Sequence, residues 1–570
     1  MKSTQSALPK FNRRTLLKGS AAVLATSALT SAVPQNVIAQ KGGTVKAMRS
    51  PENRRIVSTT APALPPLSTI ALNRMGFGPR PGDVDAFNAL GGSDDARLAA
   101  YVAQQLNPAS IDDSVFEARV AAAGFQTLNK SLTQLWADHI AANPDYSYRM
   151  LPIKEVEVMA FNRAMHSKRQ LLEVLADFWH NHFNVYGWDY EVGPVFVHYD
   201  RDVIRAHALG NFRQMVEAVA KSPAMLVYLN NRTNSGGNPN ENFARELFEL
   251  HTMGAENYMG VMPQSNVPRD GGKPVAYVDE DVYGATTCFT GWRINENTGE
   301  FFYDSTMHFN YQKVVFGEII PPDQPPEQDG KDVLDMLVAH PGTGRHIARK
   351  LCRRFISDSP PDDLVNAAGA VFTAQKDAPD QLKQVLEVIL LSEAFKSTWG
   401  EKIKRPFEFA VSVLRALDAD HFFLVEDAPT DDFLWLYQAM GQELFYMHVP
   451  TGYPDEKEDW TGSGSMLFRW RLANWLVDDS KDVGSTNEYW ADVVSQTPSN
   501  VRSPNELVDF WTYRLLGRSL DNASRQIVLD FIAQGRNPDF DLPLDTDGDV
   551  QERLRSMVGL IFNSPDFQWR

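Results

Sequence analysis

Two stretches decide the fold: RQLLEVLADFWHNHF at residues 169–183 and NENFARELFELHTMG at residues 240–254. Both repeat apolar residues at three- and four-residue spacing, the period of an amphipathic helix. The same period runs outward through DDARLAAYVAQQL (94–106), SLTQLWADHIAA (131–142) and NFRQMVEAVA (211–220), so helices are expected from Ser68 to about Ala255, with Gly254 as a stop. Residues 256–280 read as a polar loop, DEDVYGATTCFTGW (279–292) as another helix, and WRINENTGEFFYD (292–304) as a hairpin around NENTG. Past the irregular PPDQPPEQDG (321–330), helices resume in GRHIARKLCRRFI, DDLVNAAGAVF, QLKQVLEVILL and RPFEFAVSVLRAL. The fold class is therefore mainly α. We expect a large helical body over 67–400 with a loop and small β-hairpin insertion near 256–330, then a C-terminal helical region over 401–570. LEVILLSEAF (386–395) and VGLIFNSPDF (558–567) echo one another, each ending a helix in Ser-x-x-Phe; a duplicated helical module and a generic helix end with an apolar anchor are both open.

Composition narrows the function. Hydrophobic residues at 43% and charged residues at 22% exclude wholesale disorder in a chain of 570 residues. The formal charge of −17 argues against nonspecific nucleic-acid binding, which needs a basic surface. Cys288 and Cys352 are the only cysteines, which excludes a disulfide framework and any all-cysteine zinc or iron–sulfur centre. Residues 1–39 hold Lys2, Lys10, Arg13, Arg14 and Lys18 and no acid; without them the charge falls from −17 to −22. RRTLLKG (13–19) followed by SAAVLATSALTSAV (20–33) is similar to a twin-arginine export signal, with cleavage after Ala32 or Ala39. The apolar run is too short and too rich in Ser and Thr for a membrane span. A periplasmic or secreted protein without a transmembrane anchor is expected, with residues 40–66 as a linker.

DFWHNHFNV (177–185), NENFARELFELHTMG (240–254), DVYGATTCFTGW (281–292), HPGTGRHIARKLCRRFI (340–356), KRPFEFAVSVLRAL (404–417) and PTGYP (450–454) occur in that order. Together they resemble the bacterial domain-of-unknown-function 1800 family, from about Ser68 to Arg570. The resemblance implies an exported, predominantly helical protein, often accompanied by a partner that resembles the sulfatase and alkaline-phosphatase superfamily. It implies no established chemistry. The family pattern usually has Asp directly after the histidine at position 308, where this chain has Phe309.

Candidate chemistry follows from helical projection at about 100° per residue. Along 240–254, Glu241, Asn242, Arg245, Glu246, Glu249 and Thr252 share a polar arc, while His251 falls on the apolar side. Along 171–184, Glu173, Asp177, His180 and Asn181 make the polar side, and His182 sits among Val174, Leu175, Phe178 and Trp179. Asp177 and His180 have the i,i+3 spacing of a helical carboxylate–histidine metal site. His182 and His251 are core-facing imidazoles whose ring nitrogens need partners. They are expected either as structural residues bonded to main-chain carbonyls or as a shared inter-helix site. In the second case they are metal ligands or an acid–base pair, with Glu246, Glu249 and Arg245 at hand and Asp177 and His180 as further ligands of a divalent metal ion. In RHIARKLCRRF, Arg345, His346, Arg349, Lys350 and Arg353 spread over one face. Their partner is either the acidic stripe Glu241/Glu246/Glu249 or an anionic substrate group bound by Arg349, Lys350 and Arg353, a surface that Lys402, Lys404 and Arg405 extend. Three functions stay open: an exported hydrolase with a His/carboxylate or metal centre between the two helices; a metal-free glycan-active enzyme using Glu241 with Glu246 or Glu249; and a noncatalytic assembly or binding protein acting with an exported, sulfatase-like companion.

Overall fold

Helices carry nearly all the regular structure of the computed structural model, which describes residues 64–477 and 490–570. The strands form three two-stranded antiparallel sheets among the described residues. The hairpin expected around NENTG is present, Trp292–Ile294 against Phe301–Tyr303, with Trp292 opposite Tyr303 and Ile294 opposite Phe301. Two further hairpins, Arg269–Asp270 with Lys273–Pro274 and Lys313–Val315 with Glu318–Ile320, complete the insertion. The described residues cluster as one compact unit. The export signal expected at 1–39 and most of the linker expected at 40–66 lie outside the described residues. Among those described, no helix is long and apolar enough to cross a membrane.

Seven helices position the site: α1 (Leu151–His166), α2 (Gln170–His182), α3 (Asn242–Glu246, continued by a π-helical turn Leu247–His251), α4 (Pro341–Phe355), α5 (Asp362–Ala374), α6 (Gln381–Leu390) and α7 (Pro406–Ala416). Local chemistry sets their ends. Pro341 and Pro406 open α4 and α7, where a missing N–H costs nothing. The His340 ring accepts from Gly342 N–H at 2.9 Å and donates to Pro274 O at 2.7 Å, tying α4 to a hairpin. The Glu408 carboxylate accepts the Arg405 N–H at 2.8 Å at the head of α7. Gly254, at φ +86°, ends the α3 segment as expected, and a Cβ there would lie 2.3 Å from His346 Nδ1. The core face of α2 is Leu171, Val174, Leu175, Phe178 and Trp179, with the indole donating to Ala208 O at 3.0 Å.

The sequence echo extends to element order. The series α4, α5, α6 and a Ser392-capped turn (Glu393–Ser397) is matched by Pro504–Leu516, Asn522–Ala533, Gly548–Phe562 and the turn Pro565–Gln568 after Ser564. Within each set the three long helices all pack against one another. Ser392 and Ser564 each donate their hydroxyl to a carbonyl three residues back, at 2.7 Å. Residues 568–570 then pair with 402–404 (Lys404 N–H to Gln568 O, 2.9 Å; Arg570 N–H to Lys402 O, 2.8 Å), which fixes the chain leading into α7.

Candidate anion-binding cavity

A cavity of about 400 Å³ opens where four pieces of chain meet. The C-terminal end of α2 gives Phe178, Asn181 and His182. The middle of α4 gives Lys350, Arg353 and Arg354. Arg405 stands at the head of α7, and the fourth wall is Met447 with Thr451–Asp455. Asn181 holds that last loop by both ends of its amide, donating to Tyr453 O at 2.8 Å and accepting Tyr453 N–H at 2.7 Å. Gly452 makes the approach possible. Its φ is +73°, and a Cβ there would fall 2.3 Å from Asn181 O.

The walls carry more positive than negative charge. Arg354 and Arg570 converge on Glu408, and Arg405 bridges Asp177 and Glu408. Lys402 binds Asp358 at 2.5 Å and stands 3.7 Å from Asp455. Burial alone would raise Glu408, but Arg354 and Arg405 outweigh it and hold the carboxyl below its ordinary value. Asp455 is held down in the same way by Lys402 and Arg405. Arg354 and Arg405 are 2% and 4% exposed, yet the Nε of each lacks a hydrogen-bond partner. Lys350 is half-buried and, among the described residues, has neither hydrogen bond nor ion pair. Burial lowers its ammonium to about 8 against the pull of Asp455.

His182 lines the same cavity. Its Nε2–H donates to the main-chain O of His251 at 3.1 Å, which fixes the tautomer and leaves Nδ1 as a lone pair without a partner. Burial, then the charge of Lys350, keeps this ring neutral, well below the ordinary histidine range. The His182 and His251 rings lie 6.1 Å apart, but their link is ring to main chain, not ring to ring. His251 packs on Phe183 at 5.2 Å, does not line the cavity, and is lowered to about 3, chiefly by burial. Neither ring has a carboxylate partner; that belongs to His346, whose Nδ1 lies 2.9 Å from Glu256.

Other expected residues are placed elsewhere. Glu246 and Glu249 make no hydrogen bond to either imidazole, and Glu246 is raised by burial and by Glu249 beside it. The projected faces hold, with His251 buried and Glu241, Arg245, Glu246 and Glu249 half-buried on the other side; Thr252 alone departs, buried after a π-turn from Leu247, with its hydroxyl on Leu247 O at 2.6 Å. Arg245 is engaged by Glu241 and Asp279, both at 3.4 Å. Asp177 and His180 do not converge. Asp177 takes Arg405, while His180 Nε2 contacts Asp200 at 3.0 Å, a carboxylate that also holds Arg163 and Arg205. The metal set of Asp177, His180, His182 and His251 is thereby corrected: among the described residues no three His, Cys, Asp or Glu side chains gather as a metal site. The basic face of α4 does not pair with the acidic stripe of α3 either. His346 meets Glu256, Arg349 reaches Asp362 at 3.4 Å, and Arg353 reaches Glu456 at 3.5 Å. Of the three substrate residues expected on α4, Lys350 and Arg353 line the cavity and Arg349 faces away from it. His308 has its acid after all, Asp329 at 2.9 Å from Nε2, and Lys313 shares that carboxylate, but this unit lies in the hairpin insertion.

Sequence reasoning missed Arg354, Asn181, Tyr453 and Asp455. A signal for Arg354 existed, an arginine pointing into the apolar side of α4 beside Leu351 and Phe355.

The fold and this cavity define a mainly α protein with a cationic, partly desolvated site between its helices. A family model described as a protein of unknown function (DUF1800) matches residues 70–569, and the chain belongs to that family. No curated protein and no solved structure matches it.

Proposed function

We propose that the chain is an exported hydrolase acting on an anionic substrate held in this cavity. Lys350 and Arg353 contact the anion, backed by the buried guanidiniums of Arg354 and Arg405. His182 Nδ1 is the proton acceptor for the attacking water. An anion bound nearby favours the imidazolium and so raises the basicity that burial suppresses. The observation that carries this reading is the Lys350 ammonium, which has no hydrogen bond or close ion pair among the described residues and feels Asp455 only at longer range, on a cavity wall that buried arginines share. Export is supported by the basic, acid-free residues 1–39 with their Arg13–Arg14 pair.

The test is hydrolysis of p-nitrophenyl phosphate and p-nitrophenyl sulfate by the purified protein. His182→Gln keeps an N–H for His251 O but removes the lone pair, and it should cut any turnover at least 100-fold. Lys350→Met should cut it at least 10-fold. Turnover retained by both variants overturns the assignment. Anion binding without turnover of either ester would move the chain to a noncatalytic binding role.

A further inference from the structure

The charge of the cavity walls sets the charge of the ligand, an inference that rests on the reading just given and narrows its substrate class. Lys350, Arg354, Arg405, Arg570 and Lys402 gather around four carboxylates, Asp177, Asp358, Glu408 and Asp455. Arg353 adds a further cation at the wall, 3.5 Å from the exposed Glu456. Arg469, buried, adds positive charge near Glu408, while burial lowers the neighbouring Lys404 to about 7. The carboxylates are all engaged by arginine or lysine, so none can repel an incoming anion at full strength. On the cavity lining itself Lys350, Arg353, Arg354 and Arg405 face one carboxylate, Asp455, so a ligand's second negative charge still meets excess positive charge. In a partly desolvated site that added attraction is large, because charges there interact far more strongly than in water. The free volume, about 400 Å³, admits a charged group with a substituent attached. Lys350 supplies a mobile ammonium with three donors and Arg353 a guanidinium, a donor set that meets several oxygens at different angles.

We propose that the cavity takes a doubly charged phosphoryl group, that of a phosphate monoester, in preference to singly charged anions. Isothermal titration of the full chain at pH 7.5 tests this with four probes: inorganic phosphate, sulfate, methanesulfonate and malonate. Sulfate and methanesulfonate share a tetrahedral shape and differ in charge; malonate carries two charges on planar groups. Phosphate and sulfate should bind at least 30-fold more tightly than methanesulfonate and more tightly than malonate. Lys350→Met, which removes no partner from any other residue, should weaken phosphate binding at least 10-fold, and Arg353→Gln at the half-buried wall should weaken it several-fold. Methanesulfonate binding as well as sulfate overturns the dianion assignment and leaves the anionic-substrate reading standing. Malonate matching phosphate overturns the phosphoryl assignment alone. No binding of any probe overturns both.

Discussion

Lys350 should cost the folded protein stability in proportion to the work it does in binding. Burial lowers its ammonium from the ordinary lysine value to about 8. A displacement of that size corresponds to about 3 kcal/mol of folding free energy spent on keeping the charge inside. The four-carbon stem packs like a methionine, so Lys350→Met removes the charge and little else. At pH 7 the variant should therefore be more stable than the parent by up to about 3 kcal/mol. The sign with pH is specific. Below pH 8 lysine is protonated in both the folded and unfolded chain, so the penalty is complete. Between pH 8 and the ordinary lysine value the folded chain sheds the proton before the unfolded one, and the penalty fades as pH rises. At pH 9.5 the advantage of the variant should shrink to about 1 kcal/mol. Urea midpoints of both proteins at pH 7.0 and 9.5, at constant ionic strength and in an uncharged buffer system, measure this directly. Phosphate adds an internal check, since a ligand that binds only the folded parent must raise its midpoint and narrow or reverse the gap. A variant less stable than the parent at pH 7, or an advantage that does not change with pH, refutes the desolvated-lysine account.

Two further substitutions test the walls. Glu408→Gln leaves Arg354, Arg405 and Arg570 around a neutral amide and should destabilise by about 3–5 kcal/mol, the cost of breaking a buried ion cluster from one side; a urea-unfolding loss below about 1 kcal/mol would contradict the placement of this carboxylate. Gly452→Ala forces a Cβ against Asn181 O at a left-handed φ of +73°, so it should cost about 1–3 kcal/mol and lower phosphate affinity by displacing Tyr453 and Asp455, as titration and unfolding of the same sample would show.

The helices were legible because their signal is local. Apolar spacing in 169–183 and 211–220 and Gly254 at a helix end each act within a few residues, and each is present in the structure. The NENTG hairpin was legible for the same reason. Site residues were harder because their roles depend on distant chain. Asp177 and His180 have the right spacing to chelate together, yet Arg405 and Asp200 claim them separately. Lys350 and Arg353 could be named from the basic face of α4, but not Arg354, whose wheel position reads as core until Glu408 arrives from α7. PTGYP was visible as a motif without a purpose. Its glycine is required by an amide on α2, about 270 residues earlier in the chain. Glu246 and Glu249 stay on the face opposite the buried His251, as the projection had it, so they do not reach the imidazoles.

The protein contains its own control for the claim that the cavity cluster is functional. On the far side of α2, Arg163 and Arg205 meet Asp200 and Glu173, with His180 on Asp200 at 3.0 Å. Its carboxylates are buried and its arginines half-buried, and its cations and carboxylates balance. Burial would raise Asp200, and Arg205 more than reverses it. The space beside the cluster is only about 20 Å³, room for no more than a single water. That network closes on itself, charge for charge. The cluster on the other side of the same helix does not. It keeps an unpaired lysine, guanidinium N–H groups of Arg354 and Arg405 without acceptors, an imidazole lone pair without a donor, and about 400 Å³ of space between them. Stability alone gives no reason to retain that imbalance, since replacing unpaired buried charge with hydrocarbon is commonly neutral or favourable. Retaining it has a physical reason when the missing charge arrives from outside, carried by a ligand that the rest of the acidic molecule would otherwise repel.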